Sequence, residues 1–147
     1  MWIYNNTVIG KIEDLPSDTY GFIYKVTHTP SGRSYIGKKV LHYNLKKKLT
    51  KKEIAEQSGP GRKPTTKQVI KESDWKTYYG SEESIKQLIK EGKQNEFTRE
   101  ILYLVPTKKL LTYYECKYLF LHGVLEDPDR WFNTNILGKF YSRDFKY

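Results

Sequence analysis

The stretch YGFIYKVTHTPSGRSYIGKK, Tyr20 to Lys39, decides how this chain folds. From Tyr20 to Thr27 the side chains alternate, with Phe22, Tyr24 and Val26 on one side and Ile23 and Lys25 on the other. That is the period of a half-buried strand. Pro30-Ser31-Gly32-Arg33 reads as a turn and Ser34 to Gly37 as the returning strand, so the stretch is a hairpin. It carries two tyrosines, Tyr24 and Tyr35, eleven positions apart, and the second is followed at once by Gly37, Lys38 and Lys39. Taken alone, such tyrosines are ordinary strand aromatics whose hydroxyls reach water.

Working outward, WIYNNTVIG reads as two short strands around Asn5-Asn6, side chains that tolerate a tight turn. Residues 1–19 therefore form an N-terminal hairpin extension expected to cover one sheet edge. On the other side, Ser81 is the expected N-cap of a helix over Glu82 to Glu91, with Ile85, Leu88 and Ile89 as its apolar stripe and Gly92 as its stop. Phe97 to Val105 reads as a strand ended by Pro106, and Lys108 to His122 as the main helix ended by Gly123. The tail, with Trp131, Phe132 and Phe140, is irregular but aromatic enough to pack back. These elements predict an α/β (α+β) fold with a small central, mostly antiparallel three-stranded sheet flanked by helices. At 147 residues the chain is expected to form one domain, 1–147.

Twenty-six lysines and arginines stand against 17 acids, and the excess is concentrated. Lys38 to Lys76 holds twelve basic and four acidic residues. This segment, 38–76, reads as a basic insertion after the second core strand. Its helix-compatible piece, Thr50 to Gln57, is interrupted by Ser58-Gly59-Pro60-Gly61, and its low hydrophobicity suggests ordering on a partner. A basic block of this kind meets a polyanion, and DNA is the expected partner. Lys38, Lys39, Lys46, Lys47, Lys48, Lys51, Lys52, Lys63 and Lys76 are the expected phosphate contacts, raising affinity without reading bases. The block lacks the Trp/Phe/Leu face of an interfacial helix, and no apolar run approaches the ~20 residues of a membrane span. No signal peptide opens the chain, which predicts a cytoplasmic protein. Cys116 is the sole cysteine, so no internal disulfide forms, and three histidines with one cysteine make no zinc pattern.

Glu115 is out of place in this pattern. On a helix, Leu111 and Leu119 lie one turn to either side of it, so its carboxylate falls within an apolar stripe. An unpaired buried carboxylate costs several kcal/mol. A cation is therefore expected beside it, either a metal ion or a lysine such as Lys108 or Lys117. Cys116 reads as a buried helix cysteine and Arg99, in FTREIL, as a solvated strand charge.

Phe22-Ile23-Tyr24 paired with Tyr35-Ile36-Gly37 resembles the signature of the GIY-YIG nucleases, with Phe22 where that family usually has glycine. The helix, the strand Phe97 to Leu104, the helix carrying Glu115 and the Asn of Phe132-Asn133 follow in the family's order, from about Tyr20 to Ile136. The lysine-rich insertion and ESDWKTYYGS are similar to those of small phage-encoded members. The resemblance implies a metal-dependent DNA endonuclease of phage or mobile-element type that hydrolyses phosphodiester bonds. It makes Glu115 the only protein ligand of one divalent ion, and a hard oxygen donor suits Mg2+ or Mn2+. It makes Tyr35 or Tyr24 the group that activates or orients the attacking water, with the neighbouring lysines favouring phenolate. Asn133 would hold the hairpin or the substrate. The family's arginine, about eight residues after the YIG glycine, is here Leu45, so Lys71 or Arg62 is expected to face the phosphate, with Tyr79 or His42 as the next polar group. Cutting both strands with one site per chain would call for two chains, a possible homodimer, or two visits. The alternative is a basic nucleic-acid-binding module that kept the scaffold and lost catalysis.

Overall fold

A computed structural model describes residues 1–145. In chain order its elements are β1 (Trp2–Tyr4), β2 (Thr7–Ile9), β3 (Gly21–His28), β4 (Arg33–Val40), β5 (His42–Lys48), α1 (Lys51–Ala55), β6 (Thr66–Glu72), α2 (Glu83–Lys90), β7 (Phe97–Val105), α3 (Lys108–Leu121), β8 (Asn135–Ile136) and β9 (Phe140–Tyr141). The chain divides into two compact units, one of residues 1–41 together with 74 onward, the other His42–Ser73.

The first unit is built on a five-stranded sheet in the order β2-β1-β7-β3-β4. Its centre is the expected antiparallel trio: β3 pairs with β4 from Gly21↔Val40 to His28↔Arg33, and with β7 on its other side. The sheet is wider than the three strands expected, because the N-terminal hairpin joins it and does not merely cap it. Asn5 and Asn6 turn the hairpin with positive φ of 47° and 63°, and β1 then runs parallel to β7, Trp2 opposite Arg99. The reason is Trp2. It is buried, packs edge-on against Phe22 and Tyr24 with centroids 5.0 and 5.5 Å away, and donates its indole N–H to the Trp75 carbonyl at 2.7 Å. Such a ring gives burial and edge contacts of about 0.5–1.5 kcal/mol each that a loose cap would forgo.

Alternation along β3 divides the core in two. Phe22, Tyr24 and Val26 join Trp2, Trp75, Ile85 and Phe97 on one face, while Ile23 joins Ile36, Leu111, Leu119 and Trp131 on the other, under α3. Trp131 and Phe132 pack back as expected, whereas Phe140 stays largely exposed. β7 carries one residue more than β3 at this point: Ile23 faces Tyr103 and Tyr24 faces Ile101, leaving Leu102 as the extra residue of a bulge beside Tyr24.

The second unit is a two-stranded ribbon, β5 against β6, in register from His42↔Glu72 to Lys48↔Thr66. It begins after the expected insertion boundary, since β4 runs to Val40 and keeps Lys38 and Lys39 in the core sheet. The helix expected over 50–57 shrinks to α1, closed by a capping box in which Thr50 Oγ1 accepts from Glu53 N and the Glu53 carboxylate accepts from Thr50 N, both at 3.2 Å. The segment is held by the ladder, with Lys67 Nζ 2.7 Å from Glu53.

Candidate active site

Tyr24 and Tyr35 project from adjacent strands onto one face, ring centroids 6.2 Å apart, because Tyr24 lies opposite Gly37 and Tyr35 opposite Val26. Gly37 is what lets them meet. A Cβ there would collide with the hydroxyl end of Tyr24 and lie 3.0 Å from Cε1 of Tyr35. Gly80, at φ +117°, comes nearly as close to Tyr35.

The two phenols are held differently. Tyr24 is 1% exposed and packs edge-to-face against Tyr78, ring centroids 5.9 Å apart. The Tyr35 hydroxyl shares a 2.9 Å hydrogen bond with Ser81 Oγ and borders an open cavity of about 240 Å³ lined also by Glu82, Asn133 and Thr134. Ser81 is therefore spent on Tyr35 and does not cap α2; Glu82 does, its carboxylate accepting from Ile85 N at 3.2 Å. Burial pushes both phenols above the usual tyrosine range, Tyr24 well above it, and the nearby Tyr78 and Glu115 push the same way. Desolvation thus works against the phenolate expected beside the lysines, and both tyrosines are neutral hydrogen-bonding groups near pH 7.

Glu115 sits between Leu111 and Leu119 as the helical spacing requires, with its side chain about 20% exposed. Burial raises its pKa, and the ammonium of Lys38 pulls it back. The cation beside it is Lys38, whose Nζ lies 3.9 Å from Glu115 Oε1 and donates to Thr112 Oγ1 at 3.1 Å. Neither Lys108 nor Lys117 takes that place; Lys117 lies over the Tyr114 ring. The carboxylate's charge reaches both phenols, so it shares one electrostatic neighbourhood with them. No cluster of three or more His, Cys, Asp or Glu side chains suited to a metal occurs among the described residues. The donor set fits a hard divalent ion held by one carboxylate: Glu115 is a desolvated oxygen donor with only a loose ammonium as neighbour. Cys116, its thiol pushed up by burial and by Glu115, is a protonated helix cysteine and no nucleophile.

Asn133 is buried and spends its amide on the YIG strand. Its Oδ1 accepts from Ile36 N at 3.1 Å and its Nδ2 donates to Ile36 O at 2.9 Å, so it holds the hairpin. Lys39, expected on phosphate, is instead buried, with Nζ 2.6 Å from Asp74 Oδ1 and 3.9 Å from the centre of the Tyr78 ring. The alternation of β4 turns it inward while Lys38 turns to α3. Lys76 is exposed over the Trp75 ring at 5.9 Å. Tyr79 packs against the core and His42 is exposed on β5. Lys46, Lys47, Lys48, Lys51, Lys52, Lys63, Arg62 and Lys71 are all exposed on the ribbon unit, Lys71 opposite Tyr43 in β6 and Arg62 between α1 and β6.

Sequence reasoning misses Tyr78 and Ser81, and misreads Arg99. Arg99 is 5% exposed and stacks between Trp2 and Tyr79, its Nη1 donating to the carbonyls of Lys76 and Tyr78, each at 2.9 Å. The signal is present in the alternation, since Arg99 falls in step with the buried Phe97 and Ile101. For Tyr78 and Ser81 no periodicity can serve, because they lie in an irregular segment.

The model of the family described as "Putative endonuclease segE, GIY-YIG domain" matches residues 2–136. No curated protein and no solved structure matches the chain.

Proposed function

We propose that this chain, which belongs to the segE-type GIY-YIG nuclease family, is a DNA endonuclease that hydrolyses phosphodiester bonds with one divalent ion held by Glu115. Nucleases of this family generally use divalent metals, and the fold is theirs: a mainly antiparallel sheet with flanking helices. The observation that carries the reading is a pair of neutral phenols packed around a glycine on the YIG strand, with a desolvated carboxylate near enough for its charge to raise the pKa of both.

Hydrolysis needs an oriented water, a positive group facing the charge that builds on the phosphate oxygens, and help for the leaving oxygen. Tyr35, the more exposed phenol and the one beside the cavity, orients the water; Tyr24 backs it across Gly37. A neutral phenol can donate to a phosphate oxygen or accept from the water, and neither role requires ionisation. Lys38 offers an ammonium at Glu115, bound loosely enough to turn to an entering phosphate. Glu115 would hold the divalent ion, which when bound would supply Lewis-acid chemistry to the phosphate. Asn133 keeps the YIG strand in place, and the exposed lysines of the ribbon unit supply sequence-independent affinity.

A supercoiled-plasmid assay with Mg2+ or Mn2+ tests this, with wild type beside Glu115→Ala and Tyr35→Phe. Nicked or linear product from wild type and far less from the two variants is expected. Equal cleavage by all three removes the assigned roles, and salt-sensitive binding without any metal-dependent product makes the chain a binding module. Lys38→Ala, Lys71→Ala and Arg62→Ala in the same assay decide which basic group serves chemistry and which serves affinity alone.

A further inference from the structure

Arg99 is a buried cation for which the fold alone gives no reason. It lies on β7, its guanidinium carbon 4.7 Å from the centre of the Trp2 ring and 4.2 Å from that of Tyr79. No carboxylate pairs with it among the described residues, and burial pulls its pKa below the usual arginine value. A desolvated cation without a counter-ion is costly unless hydrogen bonds compensate. An unbranched apolar side chain would fill the slot between the two rings without that cost. What only the guanidinium supplies is a rigid planar donor reaching two carbonyls, those of Lys76 and Tyr78. The same segment is pinned from its other side by Lys39, through Asp74 and the Tyr78 ring. From it come Tyr78, whose ring packs edge-on against Tyr24 at 5.9 Å, and Ser81, whose hydroxyl bonds that of Tyr35 at 2.9 Å.

We propose that Arg99 is a positioning residue, fixing the backbone of 76–78 so that Tyr78 and Ser81 aim the hydroxyls of Tyr24 and Tyr35. The catalytic part of this rests on the nuclease reading; the positioning of the phenols does not. Arg99 hydrogen-bonds neither phenol; its hydrogen bonds go to the segment. Each phenol thus has its own neighbour from this segment, Tyr78 for Tyr24 and Ser81 for Tyr35, and both depend on one guanidinium.

The test uses the full chain labelled with [13Cζ]tyrosine, its Tyr24 and Tyr35 signals assigned from Tyr24→Phe and Tyr35→Phe. In Arg99→Met both signals should shift, in Arg99→Lys they should return part of the way, and those of Tyr103 and Tyr114, stacked together beside α3, should stay. Single-turnover cleavage at saturating DNA should fall about tenfold or more in Arg99→Met with DNA affinity unchanged, since small misplacements of positioned groups are costly. On a Tyr35→Phe background the same substitution should cost less than about twofold, as expected of residues acting as one unit. Unmoved phenol signals in folded Arg99→Met, or equal rate losses on the two backgrounds, overturn the proposal. If Arg99→Met does not fold, Tyr78→Phe and Ser81→Ala carry the test: the first must shift Tyr24 and the second Tyr35. Shifted signals in a protein whose wild type cuts no DNA sink the nuclease reading and leave the positioning role standing.

Discussion

The core unit and the ribbon unit solve different problems. In the first, sheet residues bury two clusters of large side chains, and polar groups inside it are tied down: Asn133 on Ile36, Arg99 on two carbonyls, Lys39 on Asp74. Between His42 and Glu72 no residue is buried. The ribbon is held by a ladder, one capped turn and surface ion pairing, and it carries nine basic against three acidic residues. An isolated two-stranded ribbon is marginal in water, and exposed ion pairs contribute about 0–1 kcal/mol. The lesson is that precision and charge have been separated. The unit that carries the proposed hydroxyls and carboxylate is the one with the packed core, while the unit rich in lysine keeps its charges in water.

That contrast can be broken most sharply at Glu115. Glu115→Ala should lower metal-dependent cleavage by about a hundredfold or more while DNA binding persists, measured by plasmid nicking beside fluorescence anisotropy. Tyr35→Phe is expected to cost about ten- to a hundredfold in the same rate, since it removes one positioned hydroxyl and leaves the metal ligand. On the ribbon, Lys46, Lys47 and Lys48 changed together to Gln should weaken DNA binding and reduce the salt slope by about 0.9 for each phosphate no longer neutralised, with the melting temperature of the protein unchanged. A comparable loss of cleavage at saturating DNA would show that the ribbon takes part in chemistry and would erase the division. Gly37→Ala puts a methyl group against Tyr24 and should cost about 1–3 kcal/mol by denaturant unfolding, since this packed face has no slack.

The smallest effect is in pH. Because burial raises the pKa of Glu115 above its ordinary 4.5, its ionised form costs stability. Glu115→Gln should therefore melt above wild type at neutral pH. The gap should close as pH falls through the folded-state pKa, since below the unfolded value the wild-type side chain is protonated in both states. A gap that widens toward acid would mean that Lys38 outweighs desolvation.

Much of this molecule is visible in the residues. The hairpin of Tyr24 and Tyr35, the Asn5-Asn6 turn, the β7 boundaries at Phe97 and Val105 and the stop of α3 near Gly123 all follow from alternation, capping and breakers. So does the Glu115 stripe, since helical spacing alone places it between Leu111 and Leu119. The errors share one cause. Charge alone puts Arg99 in solvent, where its step in the alternation puts it in the core, and sequence neighbours put Lys39 on phosphate, where its strand face turns it inward. Lys and Leu in the ribbon suit a broken helix, and the partner strand that overrules this lies some twenty residues away.

The sequence by itself determined the strands and helices of the core unit, the glycine between the paired tyrosines, the carboxylate among leucines and the location of the positive charge, because each depends on side chains close together along the chain. Only the tertiary structure decided that the phenols are desolvated, that Lys38 is the ammonium at Glu115, and that Arg99 is buried on two carbonyls while Tyr78 and Ser81 meet Tyr24 and Tyr35. Those depend on desolvation and on hydrogen bonds between residues far apart in sequence, such as the 46 positions from Tyr35 to Ser81. Local pattern carries no information about what water is excluded when distant segments meet.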